Sequence, residues 1–382
     1  MHFVIYTNIL TPYRKYFYDL LYKTCMELGN QFHVLVMAET EPDRPWKYEA
    51  LKGDYTILLK NKMISKGGTY IHINSDLMST LKELKPNVVV CAGSYLCPGV
   101  WKIARSKDRL NCKVIYWSES HLNEIKKSSA AKRFVREFLR NRVYKLFDGF
   151  WYAGKLSREF EEKYAAPDAT YHFLPNLIEE AKYSVDASLE ERRILRQKFK
   201  VPEDKTMFIC PARLIPVKGI LEFLDLLKEC PSKEKAAVMI AGSGELKTAI
   251  EHKAAENGLD VRLVGQKTQD EIIELYIAAD VFLLPSLSDA NPLTCVEALW
   301  AKKPLLISEH CGNYPETVRP GENGYVFSYS DKEAAVKYIE LMINADASWK
   351  NKAGCVSGEI AQDIYASVGV TKRIVEEMEQ IC

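Results

Sequence analysis

Two carboxylates, Asp289 and Glu297, frame the segment Asp289-Ala-Asn-Pro-Leu-Thr-Cys-Val-Glu297, whose middle reads as the exposed start of a helix. The preceding Asp280-Val-Phe-Leu-Leu-Pro-Ser286 is a short apolar run ending in Pro and Ser, the pattern of a buried parallel strand entering a loop. Asn291 is expected to cap a helix whose first position is Pro292, where the missing N–H has no intrahelical partner to lose. The amides of Leu293, Thr294 and Cys295 would then point out of the helix end, and such a terminus favours a phosphate by dipole and hydrogen bonds together. Glu297, one turn inside, would repel that phosphate but suits the paired hydroxyls of a ribose. Asp289, on the loop side, can take the hydroxyls of a sugar. The combination is the chemistry of a sugar-nucleotide site.

Other stretches supply compatible groups. Cys210-Pro-Ala-Arg213-Leu-Ile-Pro-Val-Lys218-Gly219 follows a strand pattern and opens a helix at Gly219, which puts two cations at the carboxyl edge of a sheet. Ligands of doubly wound folds bind at that edge. The planar fork of Arg213 matches phosphate oxygens and Lys218 adds a point charge, although two solvated loop charges are the plain alternative. In Ala241-Gly-Ser-Gly244, Gly242 and Gly244 allow a backbone to approach a ligand or simply make a tight turn, and the dinucleotide fingerprint is incomplete. Gln266, at the end of the next strand, could read a base edge. Ser308-Glu-His-Cys-Gly-Asn-Tyr-Pro-Glu316 forms a further strand-end loop.

These groups need a scaffold that ends several strands at one edge. Short β-branched and apolar runs alternate with longer amphipathic ones from end to end, the signature of βαβ units and parallel sheets. The first half offers strands at 3–6, 32–37, 55–59, 88–91, 114–117 and 150–153. The second offers 207–210, 237–241, 261–264, 281–284, 305–307 and 325–327. The reading is an α/β protein of two Rossmann-like doubly wound parallel-sheet domains, 1–180 and 181–357. Phe173-Leu-Pro-Asn-Leu177 leads into the linker. The segment 358–382 has helical composition and is expected to cross back onto the first domain.

Composition narrows the partners. With 382 residues, one core is too small a home for the chain, and two domains are the default. Lys plus Arg total 52 against 51 Asp plus Glu, so there is no global attraction to nucleic acid or anionic lipid. Ten scattered cysteines without a Cys-x-x-Cys pair fit reduced thiols in a cytosol rather than a zinc site. The N-terminal run to Asn8 reads as a first strand, too short for a signal core. No apolar segment approaches the roughly 20 residues of a membrane-spanning helix.

The order and spacing of the second-half motifs resemble the family-four retaining glycosyltransferases with the GT-B fold, most closely through residues 206 to 327. The family's Gly-Arg-Leu-x-x-x-Lys-Gly pattern corresponds to Arg213 and Lys218-Gly219, which the resemblance assigns to the donor diphosphate. Its Gly-x-Gly turn corresponds to Gly242 and Gly244. Its pair of glutamates corresponds to Asp289 for the transferred sugar and Glu297 for the ribose. Asp289 departs from the family, because a shorter arm withdraws the carboxylate by on the order of 1.5 Å. In the first half, Asn8 and Arg14 lie where the family has a cleft-facing loop. Trp117-Ser-Glu-Ser-His121 resembles the position where a His or acid faces the reacting sugar, with His121 favoured over Glu119.

The stretch Lys126 to Lys145 carries eight cations and one acid, interleaved with Phe134, Val135, Phe138 and Leu139 at helical spacing. It suits an amphipathic helix on an anionic membrane. The alternative is a packed helix whose apolar stripe lies against the sheet. No recognised nucleic-acid motif accompanies the charge.

Taken together, the resemblance implies a retaining glycosyltransferase that moves a sugar from a nucleotide diphosphate-sugar to a hydroxyl of a glycan or lipid-linked acceptor in cell-surface polysaccharide synthesis. Arg213, Lys218 and the helix amides would stabilise the departing diphosphate in place of a divalent metal, so neither metal nor cofactor is expected. Asp289 would be a positioning group. The expected location is cytoplasmic, peripheral on the inner face of the membrane if the basic helix binds lipid. Two alternatives stand beside this reading: a sugar-nucleotide-binding protein without turnover, and an epimerase or phosphorylase on the same architecture.

Overall fold

The alternating pattern folds as two separate parallel sheets, each wound with helices. The structure, a computed structural model, describes residues 1–42, 44, 46–66, 69–122 and 130–381. These divide into two units: residues 1–122, 130–178 and 367–381 form the first, and Glu179–Ala366 forms the second.

The first unit contains β1 (His2–Thr7), β2 (Gln31–Val36), β3 (Thr56–Leu58), β4 (Asn61–Lys66), β5 (Thr69–Asn74), β6 (Val88–Cys91), β7 (Lys113–Ser118), β8 (Gly149–Tyr152) and β9 (Thr170–Phe173). Seven of these pair in the order β3-β2-β1-β6-β7-β8-β9, every pair parallel. Parallel strands covered on both faces need apolar side chains on both, and β1 supplies them by alternation. Phe3 and Ile5 pack with Phe17, Tyr18 and Leu21 of the helix Pro12–Glu27, whereas Val4 and Tyr6 pack with Val100 and Ile103 of the helix Pro98–Arg105. The sequence reading lacks β9 and the antiparallel β4–β5 hairpin. β9 is a partly exposed edge strand, and the hairpin is rich in Lys, Asn and Ser, so neither has the apolar run that marks a central strand.

The C-terminal segment differs from the expected 358–382. A single helix, Ala347–Tyr365, runs through Gly358 inside the second unit. Gly354 and Gly358 do not break it, and Gly354 lets it approach the turn at Lys302, whose carbonyl oxygen would lie 2.5 Å from a Cβ there. The helix Ser367–Ile381 belongs to the first unit and buries Val370, Ile374, Val375 and Met378 in the cluster that holds Leu21. Each such fully buried aliphatic side chain contributes about 1.5–3 kcal/mol. Arg373 adds a hydrogen bond to Phe173 O at 2.7 Å, which ties this helix to β9.

The second unit contains β10 (Thr206–Pro211), β11 (Ala236–Ala241), β12 (Val261–Gly265), β13 (Val281–Leu284), β14 (Leu305–Ser308) and β15 (Gly324–Phe327), in the parallel order β12-β11-β10-β13-β14-β15. β10 has β11 on one side and β13 on the other, so the winding reverses between β10 and β13. At the amino end of that pair Asp280 accepts from Met207 N at 2.7 Å, Arg192 at 2.5 Å and Arg196 at 2.9 Å. Arg196, 1% exposed, also donates to the carbonyls of Pro202 and Lys205. A buried guanidinium needs this many acceptors, and here they lock the starts of the two strands at the reversal. Nine cysteines among the described residues are free thiols.

Candidate functional site

The carboxyl ends of β10 and β13 meet where the strand order reverses, and an α/β sheet opens its binding crevice at such a point. Loops from both strands are sewn together there. Leu287 N donates to Val217 O at 2.8 Å, and Tyr329 Oη donates to the carbonyls of Pro285 at 2.5 Å and Gly219 at 3.2 Å. Gly219 has a left-handed φ of 65°, and a Cβ there would lie 2.1 Å from Pro285 O, so only glycine lets the β10 loop come this close.

Lys218 and Asp289, one from each loop, form an ion pair across the reversal, both partly buried. Asp289 is itself fixed by its backbone: its amide donates to His310 O at 3.0 Å and its carbonyl accepts from Gly312 N at 2.8 Å. The pair aims the lysine. An ammonium has three donors, so one can stay on Asp289 while others meet an incoming anion. Arg213 is exposed and forms no ion pair among the described residues.

Gly242 and Gly244 follow β11, and their first role is packing. A Cβ on Gly242 would lie 2.1 Å from Ala212 O, and one on Gly244 would lie 2.3 Å from Leu214 O. Leu214 N donates to Ser243 O at 2.9 Å, so this turn is the wall against which the Arg213 loop leans. Gln266 follows β12 and is exposed at its end.

The helix carrying Glu297 is Leu293–Trp300, with Pro292 rather than Asn291 at the cap position. Pro292 has an extended ψ of 117°, so the helical conformation starts one residue later than expected. Asn291 turns inward instead, accepting from Asn313 Nδ2 at 3.3 Å. The Cys295 amide is also not free, because it donates to Pro292 O at 3.2 Å. Leu293 and Thr294 remain as the outermost turn. Glu297 accepts from Tyr183 Oη at 3.0 Å on one oxygen and from Tyr276 Oη at 3.2 Å on the other. Burial raises its pKa, and the two tyrosine hydroxyls offset only part of that rise. A carboxylate has about four acceptor positions, so two hydroxyls can hold it in place and still leave room for a ribose. Tyr183 lies 114 residues away in sequence, and no local pattern marks it.

In the first unit the expected residues gather after β1 and β7. Asn8 directly follows β1, close to Gly93 beyond β6; a Cβ on that glycine would lie 2.8 Å from Asn8 Oδ1. Arg14 and Glu119 pair with each other at 2.6 Å. The Arg14 guanidinium also lies 3.7 Å from the centre of the Trp117 ring, a cation–π contact that fixes its plane. His121 is 2% exposed, so it is a buried residue at this edge and not a surface one. Among the described residues no group of three or more His, Cys, Asp and Glu side chains is placed to hold a metal ion.

The basic stretch falls only in part within the described residues. Lys126 to Ser129 lie outside the described residues, and the helix Ala130–Val143 follows. It packs through Val143, through Glu137, which accepts from Tyr164 Oη at 2.9 Å, and through Arg140, whose guanidinium lies 4.9 Å from the Phe160 ring. Phe134, Val135 and Phe138 are 73%, 54% and 49% exposed, so these three are not packed against the sheet, while Leu139 is half-buried. No helix among the described residues is long and apolar enough to cross a membrane.

The sheet order and the site at the reversal define a class. Residues 191–353 match the family model for glycosyl transferases group 1. Its two parallel-sheet α/β domains are the GT-B fold: the crystal structure of HepE from Anabaena in complex with UDP matches over 100% of both chains, with a TM-score of 0.75 and 16% identity. Among relatives, an uncharacterized glycosyltransferase of Methanocaldococcus jannaschii is 26% identical over 171 residues, 44% of each chain. The amylovoran biosynthesis glycosyltransferase AmsK of Erwinia amylovora is 35% identical over 147 residues, 36% of this chain and 35% of that one. The matches thus span less than half the length of either relative.

Proposed function

We propose that the protein transfers a sugar from a nucleotide diphosphate-sugar to a hydroxyl of a glycan or lipid-linked acceptor, in the assembly of a cell-surface polysaccharide. The observation that carries this reading is the Lys218–Asp289 pair at the β10/β13 reversal, with Glu297 one helical turn further on inside the family-matched stretch. Arg213 and Lys218 neutralise the diphosphate, together with the amides of Leu293 and Thr294. Glu297, held by its two tyrosines, takes the ribose hydroxyls. Asp289 orients the transferred sugar and the Lys218 ammonium at once.

In the reaction the bond from the anomeric carbon to the diphosphate breaks, and its electron pair leaves on the phosphate oxygen. The acceptor oxygen forms the new bond on the face the leaving group vacates, with retention, and its proton passes to that departing oxygen. Charge on the diphosphate is greatest in the transition state, where fixed cations stabilise it most, without a divalent metal. Support for the polysaccharide setting comes from AmsK, an amylovoran biosynthesis enzyme. Nucleotide release from a panel of sugar nucleotides in the presence of EDTA tests the reading. Activity that vanishes only on chelation contradicts the metal-free part, and an inverted anomer in product NMR contradicts retention.

A second reading concerns location. The exposed Phe134, Val135 and Phe138, flanked by Arg133, Arg136 and Arg142, fit an anionic membrane surface, which is where a lipid-linked acceptor would be met.

A further inference from the structure

Tyr183 and Tyr276, the two residues that hold Glu297, also line a cavity of about 240 Å³ in the second unit, together with Ser188, Arg192, Lys302 and Lys303. None of the residues assigned to the nucleotide lines it. Its cations are unequally satisfied. Lys302 pairs with Asp186 at 2.7 Å and Arg192 with Asp280 at 2.5 Å. Lys303 forms no ion pair among the described residues, and its ammonium donates to the carbonyl of Ala279 at 3.0 Å. Burial, and then repulsion from Arg192, lower its pKa to about 8, while Asp280 pulls the other way. A half-buried cation beside a second cation, whose nearby carboxylate Asp280 is already paired with Arg192 and Arg196, gains more from an anion than a solvated lysine does.

The shape narrows the anion. Small-molecule pockets run to ~300–1,000 Å³, so this cavity suits a compact ligand. A guanidinium fork and an ammonium are the donors that phosphate oxygens take, and Ile273 and Ile277 give the cavity an apolar wall for a small carbon body.

We propose that this cavity binds a small phosphate-bearing anion, inorganic phosphate or a sugar phosphate, and that the bound anion tightens nucleotide binding through Tyr183 and Tyr276. The second half rests on the reading of Glu297 as the ribose ligand. The two rings meet edge to face with centroids 6.1 Å apart, and both hydroxyls end on the same carboxylate. A filled cavity stops the rings from moving inward, so Glu297 stays aimed and less ordering remains for the nucleotide to impose.

Calorimetric titration of inorganic phosphate and of glucose 6-phosphate into the full chain tests this, with the diphosphate loops occupied by the nucleoside diphosphate it binds best. At least one of the two should bind, at least tenfold more weakly to Lys303→Met, and with retained affinity to Lys303→Arg. Binding of both ligands places the site with free phosphate; binding of the ester alone places it with a sugar phosphate. The nucleotide's own affinity should rise at least fivefold with the cavity filled, and Ala187→Trp, which plugs the rim, should abolish that response. No heat from either ligand, or equal binding to the wild type and Lys303→Met, overturns the site. Anion binding without a change in nucleotide affinity overturns the coupling. If no nucleotide binds, the reading of Glu297 fails, and titration of the nucleotide-free wild type against Lys303→Met still decides the anion site.

Discussion

Adding one methyl group at Gly242 probes how the Arg213 loop is held. An ideal Cβ there would lie 2.1 Å from Ala212 O and 2.8 Å from the carbonyl carbon. Carbon and oxygen come into contact no closer than about 3.3 Å, so one loop must retreat by on the order of 1 Å. Backbone atoms cannot swing aside as a side-chain tip can, and the next residue after Ala212 is Arg213 itself. Overpacking of this kind costs about 1–3 kcal/mol, which for a domain of this size is a drop in Tm of roughly 2–12 °C. Misplacing a substrate-positioning group by about 1 Å costs up to ~100-fold. The assay is calorimetry with UDP, GDP, ADP and dTDP on wild type and Gly242→Ala, with thermal melts alongside. Gly369→Ala serves as the control, since a Cβ there meets nothing within 4 Å and lies in the helix Ser367–Ile381, where alanine is favoured. Affinity for the preferred nucleotide should fall by tenfold or more in Gly242→Ala and stay unchanged in the control. Wild-type affinity and melting in Gly242→Ala would falsify the packing argument.

Other perturbations read other links. Glu161 is fully buried with neither carboxyl oxygen partnered among the described residues, and burial raises its pKa well above the ordinary value. Its folded pKa is the higher one, so stability is full below the unfolded pKa and falls by about 1.4 kcal/mol per pH unit as pH climbs towards the folded value. Glu161→Gln should remove that slope in urea melts between pH 5 and 8, and parallel curves for the two proteins would contradict it. Arg196→Ala leaves Asp280 short of a buried partner and should lose about 3–5 kcal/mol in urea unfolding; a loss under 1 kcal/mol refutes the strand lock. Phe134→Ser with Phe138→Ser should abolish flotation with vesicles rich in phosphatidylglycerol without lowering Tm, and undiminished flotation removes the membrane reading. Tyr276→Phe deletes one of the two hydroxyls on Glu297 and should weaken nucleotide binding by roughly 3–10-fold at about 0.5–1.5 kcal/mol for one hydrogen bond; unchanged binding refutes its positioning role.

The central strands were legible because buried parallel strands must be apolar on both faces, as Val88–Cys91 and Val281–Leu284 are. The strand-end loops were legible because Gly, Pro, Arg and Lys clusters mark them. What stayed hidden depends on the third dimension. The sequence reading starts its C-terminal segment at Gly358, yet that residue sits inside the helix Ala347–Tyr365, which Gly354 lets pass close to the Lys302 carbonyl. Pro292 looks like a first helical residue, yet its ψ is extended and Asn291 is drawn to Asn313. The tyrosines on Glu297 come from distant segments that only the fold brings together. Gly242 and Gly244 proved to have a packing reason first, which the sequence alone could not separate from ligand approach.

The central claim is that the loops after β10 and β13 hold the diphosphate and ribose of a sugar nucleotide. Calorimetric titration of a sugar-nucleotide panel, in EDTA, into wild type and Lys218→Met tests it most directly. At least one sugar nucleotide should bind the wild type with micromolar affinity and bind Lys218→Met at least tenfold more weakly, both proteins being titrated well below their melting temperatures. A panel in which nothing binds, or in which the two proteins bind alike, contradicts it.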